Sequence, residues 1–323
     1  MTSVADAAAH GRPDACAGQR PPQQPDSVTT EAGGVGMRIV VGIPTVGRAS
    51  ILRETLRELE RQLRRPDRVI VCGAGPADVV GAGDHGAMVL NTAPGLPRQR
   101  NAIIDAAAGA DIVVFFDDDF LPHPGYLLAI ESHMAAHPRT VVATGTVLAD
   151  GINSAGLSPA EGRAILAKPG ASVPGEAPVF TGYGCNMAVR LAPMHEHGLR
   201  FDERLPLYGW QEDVDLSRCL AAFGDVVCVG AAKGVHLGVK LGRGAGLRLG
   251  YSQVANPLYL SRKQRGYPLR RAVAHIAKNM AMNVARSAWP ERYVDRRGRL
   301  RGNVLALGDL LKGRMVPERI LDL

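Results

Sequence analysis

Residues 111–120 read DIVVFFDDDF: an apolar run from Ile112 to Phe116 drives straight into three adjacent carboxylates, Asp117, Asp118 and Asp119. A short run of β-branched and aromatic residues without polar alternation reads as a strand buried on both faces. Such strands belong to parallel sheets. Three like charges at the end of one repel each other and need a compensating cation or open water.

Upstream, short β-rich runs alternate with amphipathic helical patterns: RIVVGI (38–43), SILRETLRELERQL (50–63), RVIVC (68–72), AMVL (87–90) and PRQRNAIIDAAA (97–108). This alternation predicts an α/β fold with a mainly parallel sheet flanked by helices. Ligands of such sheets bind beyond the carboxyl ends of the strands, and Asp117 to Asp119 stand at one of those ends. Downstream come a helix pattern (123–138), a strand (140–147) and a turn-rich stretch from Leu148 to Pro178, read as a long loop or small insertion. A helix beginning in QEDVD (211–215), a strand DVVCV (225–229) and GVHLG (234–238) follow. LGRGAGLRLG (241–250) reads as a flexible basic linker, and beyond it three helical patterns (251–264, 268–288, 302–313) form a helical appendage.

Hard divalent cations take carboxylate oxygens and share their coordination shell with substrate phosphates. The Asp run suits such a cation, although an Asp-rich turn before Pro122 and Pro124 could equally be solvated. Glu212 and Asp213 open a helix whose buried face is marked by Leu216, Cys219, Leu220 and Phe223. There they complement the helix dipole, while Tyr208 and Trp210 beside Gly209 have the character of a binding rim. His236, just past a strand, is either structural or a further metal ligand. The loop with Pro44, Thr45, Gly47 and Arg48, and the helix start with Arg98, Arg100 and Asn101, present donors suited to an anion.

Composition narrows the class. Five widely spaced cysteines form neither a CxxC pair nor a Cys/His metal pattern, which suits a reducing cytoplasm. No stretch approaches the roughly 20 apolar residues of a membrane span, and the N-terminus lacks a signal-peptide pattern. Residues 1–36, poor in large apolar side chains, read as a disordered tail. Residues 243–323 hold 17 Lys and Arg against 5 Asp and Glu, so this quarter carries +12 of the net +7 and the rest carries −5. Aromatic residues make up only 5 % of the chain, and no helix-turn-helix, zinc or RNA-stacking signature accompanies the basic segment, so no nucleic acid is expected.

Six segments in order resemble the family 2 glycosyltransferases, inverting enzymes of the GT-A fold: VVGIPTVGR (40–48), PRQRNAII (97–104), FFDDDFLPHPGYL (115–127), GYGCNMAVR (182–190), FDERLPLYGWQEDVDLSRCLAAFG (201–224) and GVHLG (234–238). The resemblance implies a Rossmann-like GT-A catalytic domain over residues 37–241, with residues 242–323 as a basic helical region. It implies Mn²⁺ or Mg²⁺ held by Asp119 and His236. Donor contacts would come from Pro44, Thr45, Arg48, Arg100, Asn101, Asp117 and Asp118; independently of the resemblance, Arg243 and Arg248 in the glycine-rich linker are read as a donor-side lid that closes over the diphosphate. Asp213, with Glu212, would be the catalytic base, and Gly184, Asn186, Tyr208 and Trp210 would meet the acceptor. Where many members carry an acidic DDGS-like run whose Asp reads uracil, this chain has VCGAGPAD (71–78), with Asp78 further on.

The implied reaction moves a sugar from a nucleotide-diphosphate sugar, a UDP-sugar by preference, to an acceptor hydroxyl. The C-terminal segments HLGVKLGR, LGYSQVANPLYL and WPERYVDRRGRLRGN resemble bacterial enzymes of exopolysaccharide synthesis. They suggest a lipid-linked acceptor and a cytoplasmic protein held peripherally on the anionic inner face of the plasma membrane. A sugar-1-phosphate nucleotidyltransferase and a nucleic-acid-binding protein are the rival readings.

Overall fold

The computed structural model describes residues 36–168, 175–240, 246–289 and 291–323. The disordered-tail expectation for residues 1–36 and the lid residue Arg243 therefore fall outside the described residues, Gly36 excepted. From Met37 onward the chain is one compact unit.

The predicted α/β alternation is present. Strands β1 (Ile39–Thr45), β2 (Arg68–Gly73), β3 (Met88–Asn91) and β4 (Ile112–Phe116) are interleaved with helices α1 (Ala49–Leu59) and α2 (Leu96–Ala106). β5 (Phe120–Pro122), α3 (Tyr126–Ala136), β6 (Thr140–Asp150), α4 (Pro159–Leu166), β7 (Ala177–Pro178), β8 (Asn186–Arg190), α5 (Leu191–Glu196), α6 (Glu212–Leu220) and β9 (Asp225–His236) follow. They make one sheet in the order β3-β2-β1-β4-β8-β6-β9-β5, with β7 beside β9. Among the described residues six of the nine strands run one way; β5, β7 and β8 oppose them. This is the mixed, mainly parallel sheet of a GT-A, Rossmann-like fold.

The apolar run behaves as its composition demands. Every residue of β4 is buried, with Val114 and Phe116 in the core on one face of the sheet and Val113 and Phe115 in the core on the other. Phe116, Phe120 and Tyr126 pack ring against ring at centroid separations of 5.1, 5.0 and 5.8 Å. Such contacts contribute about 0.5–1.5 kcal/mol each beyond area burial. The cluster clamps the polypeptide on both sides of the Asp run, which fixes where those carboxylates stand.

Three sequence expectations change. The stretch 148–178 is not one loop: β6 continues to Asp150, and Ser158 caps α4 by accepting from the Glu161 amide while the Glu161 carboxylate takes the Ser158 amide. That reciprocal cap follows from Ser-Pro-Ala-Glu at 158–161. The separate runs 225–229 and 234–238 are largely one strand, β9, carrying His236 at its end.

The third concerns the glycine-rich linker. Gly246 and Gly250 lie buried inside α7 (Gly246–Arg262), which crosses α9 (Arg296–Leu311), and α8 (Leu269–Ala288) packs beside both. A Cβ on Gly250 would lie 2.0 Å from the Arg299 carbonyl oxygen, and one on Gly302 2.1 Å from that of Leu247. The glycines therefore serve backbone-to-backbone helix contact rather than flexibility. Gly250→Val is expected to cost about 1–3 kcal/mol through overpacking, read as a lower denaturation midpoint; a flexible linker would tolerate it. Arg248, also in α7, donates from Nε to the Leu323 carbonyl oxygen at 2.8 Å.

Candidate active site

The three carboxylates are held apart by three different sets of partners. Asp118 is fully buried and receives the Arg48 guanidinium on both oxygens (2.7 and 3.1 Å) and the Thr45 hydroxyl at 2.6 Å. Burial pushes its pKa up to about 7 against the pull of Arg48. Asp119 accepts the Val239 amide at 2.8 Å and faces Arg48 Nη1 at 3.3 Å and His236 Nε2 at 3.4 Å. Burial pushes its pKa upward too, but His236 and Arg48 prevail and hold it at about 2. Asp117 is the one partly exposed member, 3.5 Å from Arg100 Nη2 and 3.9 Å from His236 Nε2.

His236 reaches this place because β9 pairs antiparallel with β5, setting it opposite Phe120, and parallel with the end of β6, setting it opposite Asp150. Asp150 accepts from the ring at Nδ1 (3.0 Å) and is itself fixed by the Tyr183 hydroxyl at 2.7 Å. Burial pulls the His236 pKa down, but Asp119 and Asp150 outweigh it and raise it to about 10. Asp117, Asp119 and His236 offer ligand atoms within 4.8 Å of one another. Two carboxylates and an imidazole form a donor set for Mn²⁺ or Mg²⁺. The buried Asp119 Oδ1 makes no hydrogen bond, so an oxygen aimed into the cluster stands ready for a cation. The residues fit the ion.

Arg100 connects this cluster to the second acidic motif. Its side chain is 1 % exposed, and it donates to Glu212 Oε1 (2.6 Å) and the Gly184 carbonyl oxygen (2.8 Å) while Nη2 faces Asp117. Asp213 Oδ2 accepts the Gly184 amide at 3.0 Å, and its Oδ1 accepts from Val214. Burial and the neighbouring Asp213 raise Glu212 to about 8 in spite of Arg100, and desolvation raises Asp213 as well. Glu212 is buried and Asp213 is partly exposed, so Asp213 is the carboxylate open to an incoming group. Gly184 sits where all of this converges: a Cβ there would lie 3.2–3.3 Å from Arg100, Asp213 and Glu212.

The segment carrying the pair is gripped by the C-terminal helices. Gln211, at φ 74°, turns the chain into α6, and its amide meets His275 Nδ1 at 2.8 Å. Asn256 holds the Trp210 carbonyl at 2.7 Å, while Lys263 bridges Asp202 (2.8 Å) and Asp215 (2.5 Å). The helical region thus buttresses the acidic helix start.

Asp117, Asp119, His236, Arg100, Glu212, Asp213 and Gly184 are brought together; Thr45, Arg48 and Asp118 adjoin them. Pro44 is the penultimate residue of β1, next to Thr45. Asn101 and Asn186 are turned to structural contacts, Asn101 with Phe201 and Glu203 and Asn186 with Thr144 and Gly145. Tyr208 is exposed, and Trp210 packs near the His275 ring at 5.1 Å. Asp78 spends its carboxylate on the amides of Gly47, Ala74 and Gly75, tying the loops after β1 and β2 together. Sequence reasoning missed Asp150, whose only signal was its position at the end of a strand.

The sequence model of the family described as glycosyl transferase family 2 matches residues 40–187. No curated protein matches the chain. Among solved structures, S. aureus TarS residues 1–349 superimposes with a TM-score of 0.56 at 15 % identity, covering 88 % of this chain and 82 % of that one. The mannosyltransferase PcManGT from Pyrobaculum calidifontis, solved with GDP-Man and Mn²⁺, gives 0.51 at 16 % identity, covering 88 % and 85 %. GalNAc-T7, solved with UDP, GalNAc and Mn²⁺, gives 0.53 at 14 % identity, covering 87 % and 59 %.

Proposed function

From the premise that residues 40–187 make this chain a family 2 glycosyltransferase of the GT-A fold, we propose that it transfers a sugar from a nucleotide-diphosphate sugar to an acceptor hydroxyl with inversion. The observation that carries this reading is the pair of acidic motifs joined through Arg100 and Gly184 at one edge of the sheet.

Asp119, His236 and Asp117 would hold the divalent cation, which would supply stabilisation of the negative charge on the diphosphate leaving group. Asp213 accepts the proton of the attacking hydroxyl. Its raised pKa brings it nearer to that of the proton it must take. Glu212 and Arg100 fix the start of α6, and hence Asp213, against the loop of Gly184. Thr45 spends its hydroxyl hydrogen on Asp118, and Arg48, which holds Asp118 as well and is partly exposed, presents its remaining guanidinium hydrogens to the nucleotide. A uridine donor is the preferred reading, with GalNAc-T7, of the same fold, solved with UDP and PcManGT with GDP-Man; Asp78, committed to backbone amides, adds nothing to base reading. The decisive experiment screens nucleotide sugars with Mn²⁺. Release of nucleoside diphosphate supports the transferase, release of pyrophosphate indicates a nucleotidyltransferase, and turnover of none of them removes the proposal.

The acceptor is proposed to be lipid-linked, in cell-surface glycan synthesis. α8 supports this: among the described residues its outer face exposes Leu269, Val273, Met282 and Val284 alongside Arg270, Arg271 and Lys278, and the exposed Trp289 follows it. A basic face with scattered apolar side chains suits an anionic bilayer surface. No helix among the described residues is long and apolar enough to cross a membrane. Co-sedimentation with phosphatidylglycerol vesicles at low salt is expected, weakened by added salt and by the double substitution Val273→Asp, Val284→Asp. Equal recovery from neutral and anionic vesicles would remove this part of the proposal.

A further inference from the structure

A second convergence of metal-ligating side chains lies at the opposite end of the sheet. Thr140 begins β6 and Asp150 ends it, and β7 pairs with β9 at Val227 and Cys228, eight or more residues before His236. At about 3.3 Å per strand residue, that separates the two places by roughly 25 Å. Here His133 on α3, His137 at its C-terminal cap and Glu176 just before β7 offer ligand atoms within 4.8 Å of one another.

The hydrogen bonds fix which ring atoms are available. His137 Nδ1 lies 3.0 Å from the His133 carbonyl oxygen. A carbonyl only accepts, so Nδ1 carries the hydrogen and, in the neutral ring, Nε2 keeps its lone pair. That Nε2 lies 3.9 Å from Glu176 Oε2. His133 Nε2 lies 3.0 Å from the Thr140 hydroxyl, and its Nδ1 lies 2.5 Å from Glu176 Oε1. At 2.5 Å the contact with Glu176 is a hydrogen bond in which His133 Nδ1 donates to the carboxylate, leaving Nε2 to accept from the Thr140 hydroxyl. A metal ion at this place displaces that Nδ1 proton, after which His133 Nδ1 and His137 Nε2 both present lone pairs beside the carboxylate.

We propose that His133, His137 and Glu176 bind a transition-metal ion of the Zn²⁺ class, separate from the catalytic cation. Two nitrogens and one carboxylate oxygen are softer donors than an all-oxygen shell and suit Zn²⁺ with an open fourth position. His133 and His137 are spaced i and i+4 across the C-terminal end of α3, with their rings stacked at a centroid separation of 4.4 Å, so the His137 ring turns at the cap to share an ion with His133. Zinc bonds of about 2.0–2.1 Å in a tetrahedron set ligand atoms roughly 3.3 Å apart, so the His137–Glu176 pair at 3.9 Å closes and the His133–Glu176 pair at 2.5 Å opens as the ion enters. The side chain of His133 is 3 % exposed and fixed, whereas those of His137 and Glu176 are 50 % and 47 % exposed and can move. Thr140 and the His133 carbonyl are the outer partners that orient the two rings. The cluster opens onto a surface cleft of about 610 Å³, where water can take the fourth position. Of the arginines lining that cleft, Arg139 pairs with Asp225 and Arg218 lies over the Phe180 ring. The ion ties the chain entering the two-residue strand β7 to α3, pinning it at the sheet edge. This role is independent of the transferase reading.

Metal-stripped full-length protein titrated with Zn²⁺ and Co²⁺ tests the site. Besides the equivalent taken by Asp119 and His236, wild type is expected to bind a further equivalent that His137→Ala and Glu176→Gln bind at least tenfold more weakly, with Thr140→Val weakening it about 10- to 100-fold. Bound Co²⁺ is expected to give a visible absorption band in wild type that both ligand variants lose. Zn²⁺ should raise the melting temperature of wild type more than that of the variants. Unchanged stoichiometry and affinity in the variants, or a cobalt spectrum indifferent to them, would show a plain His–Glu ion pair and overturn the proposal. Both ligand substitutions are at half-exposed positions, and their unliganded melting curves control for folding.

Discussion

Asp213→Asn is expected to lower kcat for sugar transfer by about 10²- to 10⁴-fold, the range a placed general base contributes, with the donor KM changed only slightly. The asymmetry follows from geometry. Asp213 sits on the Gly184 loop and α6, with its oxygens satisfied by the amides of Gly184 and Val214, and makes no contact with the Asp119 and His236 cluster. Asn keeps the volume and one carbonyl-type acceptor while losing the basicity. The pH profile sharpens the test. A base works deprotonated, so activity falls as pH drops through its pKa; because desolvation raises the Asp213 pKa, the acid limb lies above the ordinary carboxylate value. At saturating Mn²⁺ that limb should disappear in Asp213→Asn. A variant that keeps wild-type kcat, or shows the same limb, would take the base away from Asp213. Glu212→Gln is the contrasting variant: it loses the ion pair with Arg100 and is expected to disturb stability as well as rate.

What the sequence could reveal was whatever is local in the chain. β4 and its carboxylates were legible because a run of apolar residues into three Asp has few structural solutions. The α/β alternation, α1, α2 and the start of α6 were legible from periodicity. The missed α4 had a local signal in its Ser158-to-Glu161 cap, whereas the other misses concern contacts made by residues distant in the chain. Gly246 and Gly250 looked like a linker because glycine's local meaning is flexibility; only the approach of Arg299 and Gly302 shows that they are helix-packing positions. Asp150 was invisible because it joins His236 across 86 residues through strand pairing. Arg100, expected among the donor contacts, stands between Asp117 and Glu212, a relation that no spacing rule encodes.

Removing the cation site is expected to have the other large effect. Asp119→Asn and His236→Ala should each reduce metal-dependent turnover by about three orders of magnitude, since the several kcal/mol that a cation supplies to a departing phosphate convert at about 1.4 kcal/mol per tenfold. Their apparent Mn²⁺ affinity should fall in parallel, measured by titration without any sugar donor. Without a cation, His236 holds a proton that its three carboxylate neighbours stabilise up to about pH 10. That proton occupies the position a cation must take, so Mn²⁺ uptake by wild type displaces it. Below that pKa the apparent affinity is expected to weaken about tenfold for each unit of falling pH. His236→Ala should bind more weakly throughout but lose most of this slope, because the competing proton is gone. Asp119→Asn should keep a slope shifted to lower pH, since removing the first of the carboxylates that raise the His236 pKa lets the ring release its proton sooner. A slope that is the same in all three proteins would mean that the ion binds elsewhere than at Asp119 and His236.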